Sequence, residues 1–174
     1  MSSIKLRTAN INDLKLLRHW DKQPHVIESG VEDWDWENQI GKNYDWRESL
    51  IAELDGRPIG FMEIIDPFLD EEHYWGENIA PNLRAVDIWI GEKEDLGKGY
   101  GTTMMKLALE KCFALPEVTA VIIDPLASNK DAHRFYERLG FKFVEERSFD
   151  EDDCFVYRLE REDWIKITEN TEKL

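Results

Sequence analysis

Apolar and polar positions along this chain switch between two periods, and the switches mark out the elements. Ile4 to Arg7 alternates as a short strand. Asn10 stands where a helix N-cap belongs, and Leu14, Leu17 and Trp20 then recur on one face, which predicts a helix over Ile11–Trp20. Gln23 to Trp46 has a few helical spacings but no strong period. It interleaves Trp34, Trp36, Tyr44 and Trp46 with Glu28, Glu32, Asp33, Asp35 and Glu37. Ser49–Leu54 and Pro58–Ile65 are β-rich runs joined through Asp55-Gly56, a type I′ hairpin signal. Asp66–Pro81 reads as an irregular loop, again acidic and aromatic.

The second half repeats a simpler rhythm. Leu83–Ile90 is a strand, a glycine-rich turn follows, and a helix is expected over Thr102–Ala114. Val118–Ile123 is a compact apolar strand ended by Asp124-Pro125. Asn129–Leu139 reads as a helix with Gly140 at the position after its C-cap. Phe141–Phe149 and Phe155–Glu160 close the chain as strands around the acidic turn Asp150–Asp153. The order predicts a mixed α/β fold, and 174 residues without repeat or linker predict a single domain over 1–174.

Composition narrows the function classes. Hydrophobic residues make up 42% of the chain, enough for a core, yet no run approaches the roughly 20 apolar residues of a membrane-spanning helix. The opening stretch has no apolar signal region. Cys112 and Cys154 show no metal or redox spacing, so a cytoplasmic protein with reduced thiols is expected. His19, His25, His73 and His133 are scattered without metal-ligand spacing, and no metal is expected. The formal charge of −15 repels nucleic acid and anionic membrane and attracts a cation, although it also serves solubility.

The turn Leu96-Gly97-Lys98-Gly99-Tyr100-Gly101 fits neither the Walker pattern nor the dinucleotide fingerprint. Its physics is shared with both: glycines let successive amides face one anion, and the following helix adds unpaired N–H groups at the positive end of its dipole. Alone, the turn also suits a ligand-free strand–helix junction.

Together with the later block Asn129, Ala132, Phe135-Tyr136-Glu137 and Gly140-Phe141, it resembles the GNAT family of acetyl-CoA-dependent N-acetyltransferases. The loop pattern of that family begins with Gln or Arg, and Leu96 stands there in this chain. The resemblance implies a mostly antiparallel central sheet flanked by helices. It implies that Ile88, Trp89 and Ile90 pair with the pantetheine amides. The amides of Gly97, Lys98, Gly99, Tyr100, Gly101 and Thr102 would hold the pyrophosphate, and Asn129 would contact the coenzyme. Tyr136 would sit near the thioester sulfur and protonate the leaving thiolate; its competing reading is a core aromatic.

Within the family, Pro24-His25-Val26, Tyr74-Trp75, Arg84-Ala85-Val86-Asp87 and Asp124-Pro125 look like the aminoglycoside 6′-N-acetyltransferases. The chemistry agrees on the acceptor side. Alkyl amines are protonated near neutrality, so a carboxylate must attract the ammonium and take or relay its proton. Asp87 interrupts the apolar strand AVDIWI and is the candidate; a solvent-facing strand edge is its alternative. Asp124 and Asp152 would contact substrate amines, although both also suit ordinary turns. Tyr74 and Trp75 would form an acceptor wall. Where the resemblance puts paired tryptophans after Glu28, this chain has Ser29-Gly30, and Trp34, Trp36 and Trp46 serve either the acceptor or helix packing.

The expected function is therefore acetyl transfer to a primary amine of a polycationic small molecule, an aminoglycoside, by direct transfer in a monomer or homodimer. A siderophore precursor, a polyamine, a protein amino terminus or a non-catalytic acetyl-CoA-binding role are the alternatives.

Overall fold

The computed structural model describes residues 3–31 and 34–173, which form two compact units. The first holds residues up to 65 together with 86–110; the second holds 66–85 and 111 onward. Glu32 and Asp33 of the acidic segment lie outside the described residues.

In the first unit, β1 (Ile4–Thr8), β2 (Arg47–Leu54) and β3 (Arg57–Ile65) pair antiparallel, with Leu6 opposite Ala52 and Ile51 opposite Phe61. Asp55 and Gly56 have φ of 50° and 85°, as a type I′ turn requires. The strand β4 (Leu83–Ile90) is next in order after β3 and belongs to this unit from Val86 onward. β3 comes close to it at Gly60, where a Cβ would stand 2.5 Å from the Trp89 carbonyl oxygen; only glycine permits that approach.

The expected Ile11–Trp20 helix begins as a 3₁₀ turn, and α1 runs from Leu14 to Trp20. The Asn10 cap is present, with its side chain accepting the Asn12 N–H at 3.0 Å while Asp13 accepts the Asn10 N–H at 2.9 Å. Two short helices, α2 (Pro24–Ile27) and α3 (Trp36–Gly41), occupy the segment that lacked a period. Their apolar residues explain the tryptophans. Trp36 is buried with Leu17, Trp20, Val26, Phe61 and Trp89, and Trp34 packs against that cluster. The Trp36 indole N–H donates to Asp21. Helix packing, rather than an acceptor wall, is therefore what Trp34 and Trp36 do. The helix α4 starts at Tyr100, two residues before the expected Thr102, and ends at Ala114.

In the second unit, the first residues of β4 pair parallel with β5 (Ala120–Ile123), Leu83 opposite Ala120. β5 pairs antiparallel with β7 (Asp152–Glu160), which pairs antiparallel with β6 (Lys142–Phe149). The hydrogen-bonded order there is β4-β5-β7-β6. Strand β5 is shorter than the expected Val118–Ile123, and β7 begins three residues before the expected Phe155. The helix α5 (Lys130–Arg138) is capped by Asn129, whose side chain accepts the Ala132 N–H at 3.1 Å, and Gly140 follows with φ of 98°.

A last helix, α6 (Arg161–Glu172), has no counterpart in the expected order, which ended on strands. It is tied down by chemistry rather than by a strong apolar stripe. Trp164 stacks on Phe113 at 6.0 Å, and the Arg161 guanidinium donates to the carbonyls of Val118 and Phe113 at 2.7 and 3.0 Å. Those bonds satisfy acceptors at and beyond the C-terminus of α4.

Candidate active site

The glycine turn is built on an ion pair whose carboxylate is buried. Asp95 is 3% exposed and accepts two bonds from Arg57, at 2.7 and 2.9 Å. The guanidinium holds the Asp95 carboxyl below its ordinary range. The Lys98 ammonium also reaches Asp95, at 3.7 Å. One carboxylate thus meets two cations, and Glu92 lies near enough to act on Arg57 as well. Gly97 and Gly99 have φ of 72° and 80°, and a Cβ at either would meet open space. The backbone conformation, not crowding, selects glycine at these two positions. Gly101 and Thr102 lie in the first turn of α4. The first intrahelical bond after the turn is Thr103 N–H to the Gly99 carbonyl, at 3.3 Å. The Tyr100, Gly101 and Thr102 amides precede it, which is the arrangement that receives an anion.

Before the turn, β4 is pinned at its end. His25 donates from Nε2 to the Ile90 carbonyl at 2.9 Å. Sequence alone assigned His25 no chemistry, since a histidine on a four-residue helix shows no pattern that points to a backbone atom 65 residues away. Trp89 is buried in the aromatic cluster, against Phe61 at 4.6 Å, while Ile88 and Ile90 are half-buried.

Asp87 is half-buried on β4, and desolvation pushes its carboxyl up from the ordinary value to about 6, with Arg47 pulling the other way. Arg47 is held in place from several sides. Its guanidinium lies 4.4 Å over the Trp46 ring and 5.4 Å from the Tyr44 ring, and its Nε is 3.4 Å from Glu63, a carboxylate only 1% exposed. Burying Glu63 next to an arginine avoids an uncompensated interior charge. Trp46 therefore braces a cation of the protein itself. Arg47 was missed at the sequence level; its signal was a lone basic residue following the acidic, aromatic segment. A carboxyl near 6 is a better proton acceptor at neutral pH than an ordinary aspartate and is still mostly ionised there.

In the second unit, a loop that read as irregular is ordered by its own acids. Asp66 pairs with Arg84 at 2.9 Å and accepts the Phe68 N–H at 3.1 Å. Asp70, 3% exposed, accepts the N–H groups of Glu72 and Tyr74. These two carboxylates hold the loop rather than a cationic ligand. They present Tyr74, which donates from its phenol to Asp124 Oδ2 at 2.6 Å and stacks on Phe149 at 4.7 Å. Trp75 is buried, edge-on to Phe149 at 5.1 Å. It is a packing residue behind Tyr74.

Asp152 is exposed and stands opposite Phe149 in the β6–β7 register. Asp124 and Asp152 come together around Cys154: burial first, then Asp124, Asp152 and Asp153, push that thiol up to about 12. The cluster is an anionic, aromatic patch, and it removes Cys154 as a nucleophile at neutral pH. In α5, Asn129 is half-buried at the N-cap. Tyr136 is buried, with ring contacts to Phe135 at 5.1 Å and Phe141 at 5.7 Å. Among the described residues no group of three or more His, Cys, Asp or Glu side chains is arranged to hold a metal ion, and no helix is long and apolar enough to cross a membrane.

Comparison with known proteins gives these features a setting. A family model described as an acetyltransferase (GNAT) domain matches residues 10–149. An aminoglycoside N(6′)-acetyltransferase type 1 of Klebsiella pneumoniae is 33% identical over 149 residues, 80% of this chain and 74% of that protein. A kanamycin resistance protein of Rhizobium radiobacter is 38% identical over a shorter stretch, 42% of this chain and 68% of its own length. Among solved structures, aminoglycoside acetyltransferase AAC(6′)-Ib in complex with coenzyme A and kanamycin aligns with a TM-score of 0.84 at 26% identity, covering 95% of this chain and 99% of that one. Motif, strand order and a match along most of the chain agree, and the chain belongs to the GNAT family of acetyl-CoA-dependent N-acetyltransferases.

Proposed function

We propose that this enzyme transfers the acetyl group of acetyl-CoA to the 6′-amine of an aminoglycoside, a resistance activity. The observation that carries the reading is the likeness, along 95% of the chain, to an acetyltransferase with coenzyme A and kanamycin bound. The anionic patch of Asp124 and Asp152 beside Tyr74 supports a polycationic acceptor.

Acetyl-CoA supplies the activated thioester. The amides of Gly97 to Thr102, at the N-terminus of α4, hold its pyrophosphate, and Arg57 and Lys98, paired with Asp95, brace the base of the turn. Ile88, Trp89 and Ile90 offer their backbone to the pantetheine, and His25 fixes the end of that strand. Asn129 contacts the coenzyme at the start of α5. Asp124 and Asp152 hold the ammonium groups that do not react, with Tyr74 beside Asp124 and Trp75 packed behind it. Asp87 takes the proton of the reacting ammonium, directly or through water, which frees the nitrogen lone pair. The nitrogen–carbonyl bond forms as the carbon–sulfur bond breaks; Tyr136 donates its phenolic proton to the departing sulfur and is reprotonated by the second proton that the nitrogen gives up as the amide forms. The high proton affinity of Cys154 supports direct transfer without an acyl-enzyme.

The test is an acceptor panel read by thiol release: aminoglycosides with and without a 6′-amine, a polyamine, an N-hydroxylysine-type acceptor and an amino-terminal peptide. Turnover confined to aminoglycosides that carry the 6′-amine is expected. Preference for any other class would move the reading to that class.

A further inference from the structure

The hydroxyl of Tyr74 makes a contact separate from those of its ring. The ring is fixed by layers: parallel to Phe149, with 9° between planes, and Phe149 in turn lies 4.8 Å from the Arg147 guanidinium. Arg147 donates to the Trp75 carbonyl at 2.9 Å, so the last layer grips the residue next to Tyr74. The backbone N–H of Tyr74 is tied to Asp70 at 3.2 Å. A phenol held by its ring and its main chain has little freedom, and its O–H ends 2.6 Å from Asp124 Oδ2. That is the short spacing of a charge-assisted bond to a carboxylate. Tyr74 is 45% exposed, so the bond sits at the surface, within reach of an acceptor.

We infer that Tyr74 is a positioning residue that sets acceptor specificity by fixing the direction of the Asp124 carboxylate. The inference rests on the acceptor reading above. A carboxylate turning freely meets an ammonium from many directions. One locked by a rigid donor meets it from few and so selects the spacing between the bound amine and the reacting amine. A polyamino acceptor gains from that lock, and a monoamine, which uses only the reacting nitrogen, does not.

The experiment is a double-mutant cycle of Tyr74→Phe and Asp124→Asn, with steady-state constants for kanamycin, for a monoamino sugar and for acetyl-CoA. Tyr74→Phe keeps the stacked ring and loses only the hydroxyl. The kanamycin KM is expected to rise about ten-fold, the order of one hydrogen bond to a charged group. The monoamine KM rises by less than the kanamycin KM, while the acetyl-CoA KM and the melting temperature stay near those of wild type. In the Asp124→Asn background, Tyr74→Phe adds little further, because the lock has lost its object. An unchanged kanamycin KM in Tyr74→Phe, or effects that simply add, overturns the inference while leaving the aminoglycoside reading intact. Wild-type enzyme that turns over neither kanamycin nor any other aminoglycoside bearing a 6′-amine overturns that reading instead, and the inference with it.

Discussion

Asp87 and Asp95 show how environment turns one residue type to two uses. Asp95 is buried against Arg57 and held ionised; Asp87 is desolvated with Arg47 as a counterweight, and its carboxyl rises to about 6. The sign of the consequence differs. For Asp87 the folded protein favours the protonated form, so its contribution to stability is full below the ordinary carboxylate value and is lost as pH rises through 6. Asp87→Asn should therefore melt higher than wild type by a margin that grows between pH 4 and pH 7, as read by thermal denaturation. For Asp95 the stabilisation is present above the ordinary value and is lost in acid, as pH falls through its lowered pKa. If Asp87 takes the substrate proton, kcat/KM rises with pH along a limb near 6, and Asp87→Asn lowers activity at all pH values and abolishes that limb. Replacing Arg47 with Met moves the limb to higher pH, since the cation opposes the desolvation. None of this was legible beyond the oddity of an aspartate in an apolar strand, because the partner that tempers it lies 40 residues earlier on another strand.

At the scale of elements, Gly99→Ala isolates backbone from packing. No atom lies within 4 Å of the added Cβ, so the change acts only through a φ of 80°, a left-handed conformation that costs an L-residue about 1–2 kcal/mol. A raised acetyl-CoA KM with the acceptor KM unchanged is the expected kinetic result. Trp164→Ala should lower the unfolding free energy by about 3 kcal/mol in a denaturant titration, since it removes the aromatic that docks α6 on Phe113. The hairpins and the glycine turn were readable because local chemistry decides them: Asp55-Gly56 needs two positive φ values, and Asn129 caps the helix it precedes. Helix α6 was not. Ile165, Ile167, Thr168 and Thr171 dilute its helical signal, and the clues that remain are Glu162 and Asp163 in its first turn and the spacing of Trp164 and Ile167. The loop 66–81 read as irregular for a related reason: its order comes from Asp66 and Asp70, which accept backbone N–H groups, and from the Asp66 pair with Arg84.

For the molecule as a whole, the charge of −15 acts on the two substrates with opposite sign. On the proposed reading it draws in a polycationic acceptor and repels the anionic coenzyme, whose pyrophosphate the amides of the glycine turn would hold. The Debye length falls to about 3 Å in 1 M salt, so added salt should raise the aminoglycoside KM steeply and leave the acetyl-CoA KM flat or lower. Family membership follows from a match along most of the chain, whereas the proposed acceptor roles rest on a few side chains: Asp87, Asp124, Asp152 and Tyr74. The most direct measurement of the central claim is the product of a reaction of purified enzyme, acetyl-CoA and kanamycin, analysed by mass and by NMR for the acetylated position. The account predicts one added acetyl group, on the 6′-nitrogen, with one thiol released for each. Absence of thiol release with kanamycin and with every other aminoglycoside bearing a 6′-amine, or acetylation at a different nitrogen, would contradict it.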